Sequence, residues 1–132
     1  GVDARFHRWI DRADLDALYA RAHFMVLPSV ASEGWPKVLS EAMAWGAVPV
    51  ASAISSIPSI LGELGVGAAH PARDLDAFRA AIRRLGEPDR FRVESRRAAS
   101  AAERFSYRRY LDDVRDLFRE RFGIRLPGPP GV

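Results

Sequence analysis

Two carboxylates, Glu33 and Glu41, stand eight positions apart in the stretch PSVASEGWPKVLSEAMAWGAVP, which runs from Pro28 to Pro49. Between them lie Gly34, Trp35, Pro36 and Lys37. Gly34 lets a ligand approach the backbone closely, having no Cβ. Pro36 suits the first turn of a helix, where its missing N–H costs no helical bond. The amides around Trp35, Lys37 and Val38 then point outward at the positive end of a helix dipole, a ready place for a phosphate. Lys37 adds a point charge beside it. Two acids near such a site need a different role, because like charges repel. A carboxylate accepts two hydrogen bonds from a vicinal diol, and accepts them strongly because it is charged. One carboxylate on each side of a diphosphate suits a molecule with a sugar at both ends.

The elements that must hold these residues can be read from either side. Ala4–Ile10 alternates loosely and predicts a short strand. Asp11–Asp14 supplies a turn with N-cap candidates, and Leu15, Leu18, Tyr19 and Ala22 follow at helical spacing. His23–Leu27 is an apolar run of the kind buried on both faces in a parallel sheet, with His23 read as a core histidine. A helix from about Pro36 to Trp45 buries Val38, Leu39, Ala42, Met43 and Trp45, and Gly46 stops it. Val48–Ala53 is the next strand; Pro49 belongs at its start or on a free edge, since it lacks an N–H. One or two helical turns end at Gly62, and Gly65–Ala69 makes a short, weak strand. Asp74 caps a helix through Arg84. Two more helices, 89–104 and 106–122, precede the Pro/Gly-rich tail 123–132, which is expected to be disordered. Strands alternating with helices predict an α/β fold: a partial Rossmann-like open parallel sheet of about four strands with flanking and C-terminal helices. Ligands of such sheets bind beyond the carboxyl ends of the strands, where the loop Ser29–Trp35 lies.

The segment Glu33-Gly34-Trp35-Pro36-Lys37-Val38-Leu39-Ser40-Glu41-Ala42-Met43-Ala44 resembles the E-x7-E motif of retaining GT-B-type glycosyltransferases, the glycosyl transferases group 1. The flanking "VLPS", "G-x-V-P-V" and "S-S-I-P" segments, and the upstream D-x-x-x-L-Y-A-x-A-H, are similar as well. The resemblance implies a nucleotide-diphosphate sugar as donor substrate, with no metal or other cofactor. It implies that Glu41 binds the ribose hydroxyls and that Glu33 meets hydroxyls of the transferred sugar. These two are the candidate catalytic residues, neither of them a nucleophile. Amides at Gly34, Trp35, Lys37 and Val38 are expected at the diphosphate or sugar, and the backbone at Ile10, within Trp9–Asp11, at the nucleobase. Charge on the leaving group would be held by amides and basic residues. One departure stands out: Arg8 occupies a position where the family usually has Gly.

The family's nucleotide domain opens with further βα units and is preceded by an acceptor domain. By resemblance, residues 1–122 are the C-terminal part of a donor domain, inert alone, whose partner is the missing N-terminal acceptor domain. The last helix carries an apolar face of Tyr107, Tyr110, Leu111, Val114, Leu117 and Phe118, for which a second copy of the chain is one candidate cover. The competing reading is a non-catalytic binding or regulatory module on a degenerate transferase fold.

Composition narrows the remaining classes. With 48% hydrophobic and 28% charged residues the chain is of ordinary globular type. No run reaches the roughly 18–20 apolar residues of a membrane span. Cysteine is absent, so there is no disulfide framework and no thiolate chemistry. That absence suits a cytoplasmic protein, peripheral at most to the inner membrane face. Residues 1–72 carry five basic and seven acidic groups and residues 73–132 fifteen and ten. Because the arginines alternate with acids and no aromatic–basic stripe accompanies them, nucleic acid is not an expected partner. Ser29 and Ser32 lack the elbow and base of a serine nucleophile. The three histidines lack metal-ligand spacing.

Overall fold

The computed structural model describes residues 1–31 and 34–128. Three parallel strands, β1 (Phe24–Leu27), β2 (Val48–Ser52) and β3 (Ala68–His70), form one sheet in the order β1-β2-β3. Among the described residues six α-helices surround or extend it: α1 (Arg12–Arg21), α2 (Lys37–Ala44), α3 (Ile57–Leu64), α4 (Leu75–Leu85), α5 (Pro88–Ala102) and α6 (Tyr107–Phe122). A 3-10 turn, Glu103–Phe105, joins α5 to α6.

Alternation along β2 divides the core, as the two-residue period of a strand requires. Val48 and Val50 face α4, where Phe78, Ala81 and Leu85 are buried against them. Ala51 faces the other way, into a cluster of Leu39 and Met43 from α2, Ile57 and Leu61 from α3, and Ala98 and Ala102 from α5. A smaller cluster of Tyr19, Ala42 and Ala47 seats α1 against α2. All five residues of β2 are buried, as expected for the central strand of an α/β sandwich.

Several elements differ from the sequence-based expectations, each for a physical reason. Ala4–Ile10 forms no strand; residues 1–9 are exposed, Phe6 and Trp9 among them. A strand needs a laddered neighbour, and among the described residues none is offered there. Among the described residues the sheet therefore has three strands, not four. Nor is β1 buried on both faces: it is an outer strand of this sheet, and Val26 is 41% exposed. His23 stays outside the strand and exposed, its ring 5.1 Å from that of Phe91. Gly62 lies inside α3, which runs on to a left-handed stop at Gly65.

Pro49 sits in the central strand, not on an edge, but near its start. The Val48 amide donates to the His23 carbonyl of the β1 side at 2.9 Å. Successive amides alternate sides, so the missing donor of Pro49 faces β3, whose pairing begins only at Val50–Ala68. No ladder bond is lost. Asp74 and Ser106 cap α4 and α6 by accepting from Ala77 (2.9 Å) and Arg109 (3.1 Å). Gly46, at φ 83°, ends α2 where a Cβ would stand 2.7 Å from Ser95 Oγ of α5. The same glycine thus stops the helix and admits α5 against it.

Candidate functional site

The N-terminus of α2 opens at the carboxyl end of the sheet, one loop after β1. Pro36 takes the N-cap position with extended backbone (φ −68°, ψ 123°) and supplies no side-chain cap. The Leu39 amide is used by the Pro36 carbonyl at 3.0 Å. The Lys37 and Val38 amides precede it in the first turn, and among the described residues no side chain caps them. Backbone donors at a helix start, with the dipole behind them, favour an anion.

Beside this turn an open cleft of about 940 Å³ runs between α2 and the junction of α5 with α6. Lys37, Ser40, Glu41 and Trp45 form its α2 side. Phe105, Tyr107 and Tyr110 form the opposite side, and Arg12 of α1 closes one end. Trp35 spans the two walls. Its Nε1 donates to Ser40 Oγ at 2.6 Å, and its ring stacks on Phe105 with centroids 4.8 Å apart and planes 9° apart. One ring face and the N–H edge are thereby fixed, which turns a loop residue into part of the cleft wall.

Glu41 is not paired with Lys37, one turn back on the same helix. Its Oε1 instead accepts from Arg12 Nη1 at 3.2 Å, across the gap between α1 and α2. Arg12 Nε also lies 2.9 Å from Asp16 Oδ1, an ion pair without hydrogen-bond alignment. Asp16 first and Glu41 second hold the Arg12 guanidinium above its ordinary basicity. Burial pushes the neighbouring Tyr19 hydroxyl up, and the Glu41 charge adds to that effect. Glu41 itself is partly accessible, its side chain 22% exposed, so one edge of the carboxylate meets the cleft.

The expected site residues therefore divide. Trp35, Lys37 and Glu41 line one cleft. Gly34 is exposed, and among the described residues a Cβ on it would meet no atom within 4 Å. Val38 and Ile10 are half-buried and outside the cleft lining. Glu33 and Ser32 lie outside the described residues. Sequence reasoning missed Arg12 and Phe105. The i,i+4 pairing of Arg12 with Asp16 was visible in the chain, but its reach to Glu41, 29 positions away, is purely tertiary. Among the described residues no group of three or more side chains is placed to hold a metal ion, and no helix is long and apolar enough to cross a membrane.

Residues 1–88 match the family described as glycosyl transferases group 1. This chain belongs to that family. Among curated relatives of this glycosyltransferase-family chain, an O-antigen chain mannosyltransferase B from Escherichia coli is 34% identical over 104 residues, covering 78% of this chain and 26% of the relative. A D-inositol 3-phosphate glycosyltransferase from Saccharomonospora viridis is 32% identical over 108 residues, covering 81% and 25%. The chain thus spans about a quarter of the length of the curated relatives it matches. Among solved structures, a sucrose-phosphate synthase from Thermosynechococcus elongatus superposes with a TM-score of 0.69 at 26% identity, covering 86% of this chain and 29% of that one. The three-stranded parallel sheet with its helices is accordingly the α/β, Rossmann-like arrangement of GT-B proteins.

Proposed function

We propose that this chain is the C-terminal, donor-binding portion of a retaining glycosyltransferase that moves a hexose-type sugar from a nucleotide-diphosphate donor to an acceptor. The carrying observation is the shared cleft: the Glu41 carboxylate and the Lys37 ammonium lie on one wall, beside a helix start that offers amides to an anion. Sugar-transferring relatives, one of them named a mannosyltransferase, support the hexose.

In this reading the helix-start amides from Gly34 to Val38 take the diphosphate, with Lys37 adding charge. Glu41 accepts from the ribose diol. Glu33 accepts from hydroxyls of the transferred sugar, and the backbone at Ile10 borders the base. As the glycosidic bond to the diphosphate breaks, negative charge grows on the leaving oxygen, and donors already aimed there stabilise it without reorganising. The reaction requires no metal in this scheme. The acceptor side is supplied by an N-terminal domain outside this chain, so the 132 residues alone transfer no sugar. The complete enzyme works in the cytoplasm, peripheral at most to the membrane.

The test is a titration of the complete encoded polypeptide with UDP-, GDP-, ADP- and dTDP-sugars, wild type against Glu41→Ala and Glu33→Ala. Donor affinity is expected to fall in the first variant and transfer chiefly in the second. Unchanged donor affinity in Glu41→Ala contradicts the ribose assignment. Sugar transfer by the isolated 132 residues contradicts the division of labour.

A further inference from the structure

We infer that Arg12 is a positioning residue that sets ribose recognition by fixing the Glu41 carboxylate. The inference rests on the assignment of Glu41 to the ribose diol. Its basis is a bridge between two helices. Arg12 opens α1 directly after its cap, Asp11, and its guanidinium is held on its own helix by Asp16 at 2.9 Å. The other arm of the fork reaches Glu41 Oε1 at 3.2 Å on α2. A guanidinium that bridges two carboxylates, hydrogen-bonded to one and ion-paired with the other, is restrained between the helices and in turn restrains Glu41.

Two consequences follow for a diol at this place. Glu41 keeps Oε2, and one lone pair of Oε1, to accept from two adjacent hydroxyls, in an orientation set before the ligand arrives. Preorganised acceptors discriminate against analogues that lack the hydroxyl, because a fixed charged group then stays unpaired. Arg12 also supplies positive charge beside a carboxylate that must share its cleft with a diphosphate. Without it, Glu41 swings among rotamers and repels the ligand's phosphates. Lys37, although one turn from Glu41, makes no ion pair with it among the described residues, and a lysine lacks the fork that spans two partners.

The experiment measures binding of UDP, GDP and ADP, each against its 2′,3′-dideoxy counterpart, by calorimetry on the complete encoded polypeptide. Wild type, Arg12→Ala, Arg12→Gln and Arg12→Lys are compared. Wild type is expected to prefer the ribonucleotide. Arg12→Ala and Arg12→Gln lose that preference by about tenfold, the size of one charge-assisted hydrogen bond, while Arg12→Lys falls in between. Thermal unfolding accompanies each titration; because the Arg12 side chain is 62% exposed, the variants are expected to fold, and either neutral variant alone carries the result. A ribose preference that persists undiminished in the neutral variants overturns the role of Arg12 while leaving Glu41 as the ribose ligand. A wild type that binds nucleotide with no ribose preference overturns the Glu41 assignment, and the role of Arg12 with it.

Discussion

The indole of Trp35 lies flat on the ring of Phe105, and so joins the loop that leads into α2 to the turn between α5 and α6. Seventy positions apart in the chain, the two residues tie the two walls of the candidate site together. Removing the Phe105 ring deletes the stacking and part of a half-buried contact, about 1–2 kcal/mol together. Phe105→Ala is therefore expected to lower the unfolding free energy by that amount, and the denaturant midpoint with it. Because the loop loses its support, donor affinity falls too, and the Trp35 fluorescence shifts toward that of a solvated indole. An unchanged emission in the variant, read against a Trp35→Phe control, would show that Phe105 does not hold Trp35.

Gly67 passes against Pro49 at the entry to β3. A Cβ on Gly67 would stand 2.1 Å from the Pro49 carbonyl oxygen, and the backbone there is left-handed at φ 69°. Both obstacles are rigid, since one is main chain of the central strand and the other is a φ that L residues avoid. Gly67→Ala is expected to cost about 3 kcal/mol or more, or to abolish folding outright. A variant that unfolds at the wild-type denaturant midpoint refutes this close approach.

What the sequence revealed and what it hid follow the range of the forces involved. The apolar run of β2, the 3.6-residue spacing of α2, the Gly46 stop and the Asp74 cap are local signals, and each element formed where its signal lay, except that Trp45, expected on the buried face of α2, is its exposed C-cap residue. The strand expected over Ala4–Ile10 depended on a neighbour to pair with, which no local pattern contains. His23 belongs to an apolar run in sequence yet sits one residue before the strand, in contact with Phe91 of α5. The site divides in the same way. Lys37 and Glu41 are legible because their spacing on one helix fixes their relative direction. The partner of Glu41 is not, because Arg12 arrives from another helix. Lys37 lies one turn away on the same helix, yet the fold gives Glu41 the guanidinium of Arg12.

Tyr19 gives the fold an alkaline limit. Burial raises its hydroxyl above the ordinary value of 10.0, and the nearby Glu41 charge raises it further, against the opposing charge of Arg12. Below the unfolded value the hydroxyl is neutral in both states, and the stabilising contribution is complete. As pH rises from about 10, the unfolded chain deprotonates first and stability falls until the folded group titrates as well. Tyr19→Phe is expected to flatten this alkaline limb and to leave neutral-pH stability nearly unchanged. Urea unfolding from pH 7 to 11 measures both; parallel curves for wild type and variant would assign the alkaline loss to other groups.

Gly34 separates the needs of the fold from the needs of the ligand. Among the described residues a Cβ added to Gly34 meets no atom within 4 Å, and its backbone is not left-handed, in contrast to Gly67. The fold therefore has no use for a glycine at this position, and Gly34→Ala should change stability by no more than about 0.5 kcal/mol. A ligand drawn against the first-turn amides of α2 is a different matter, because a methyl group then stands where a phosphate or sugar oxygen must come close. Donor affinity is expected to fall about tenfold, a cost of about 1.4 kcal/mol, in a variant whose thermal midpoint is that of wild type. Gly34→Val should lose more of the affinity on the same backbone. If both variants bind the donor as wild type does, the diphosphate does not lie over this loop. If both lose stability instead, the open space at Gly34 is closed by contacts of the folded chain.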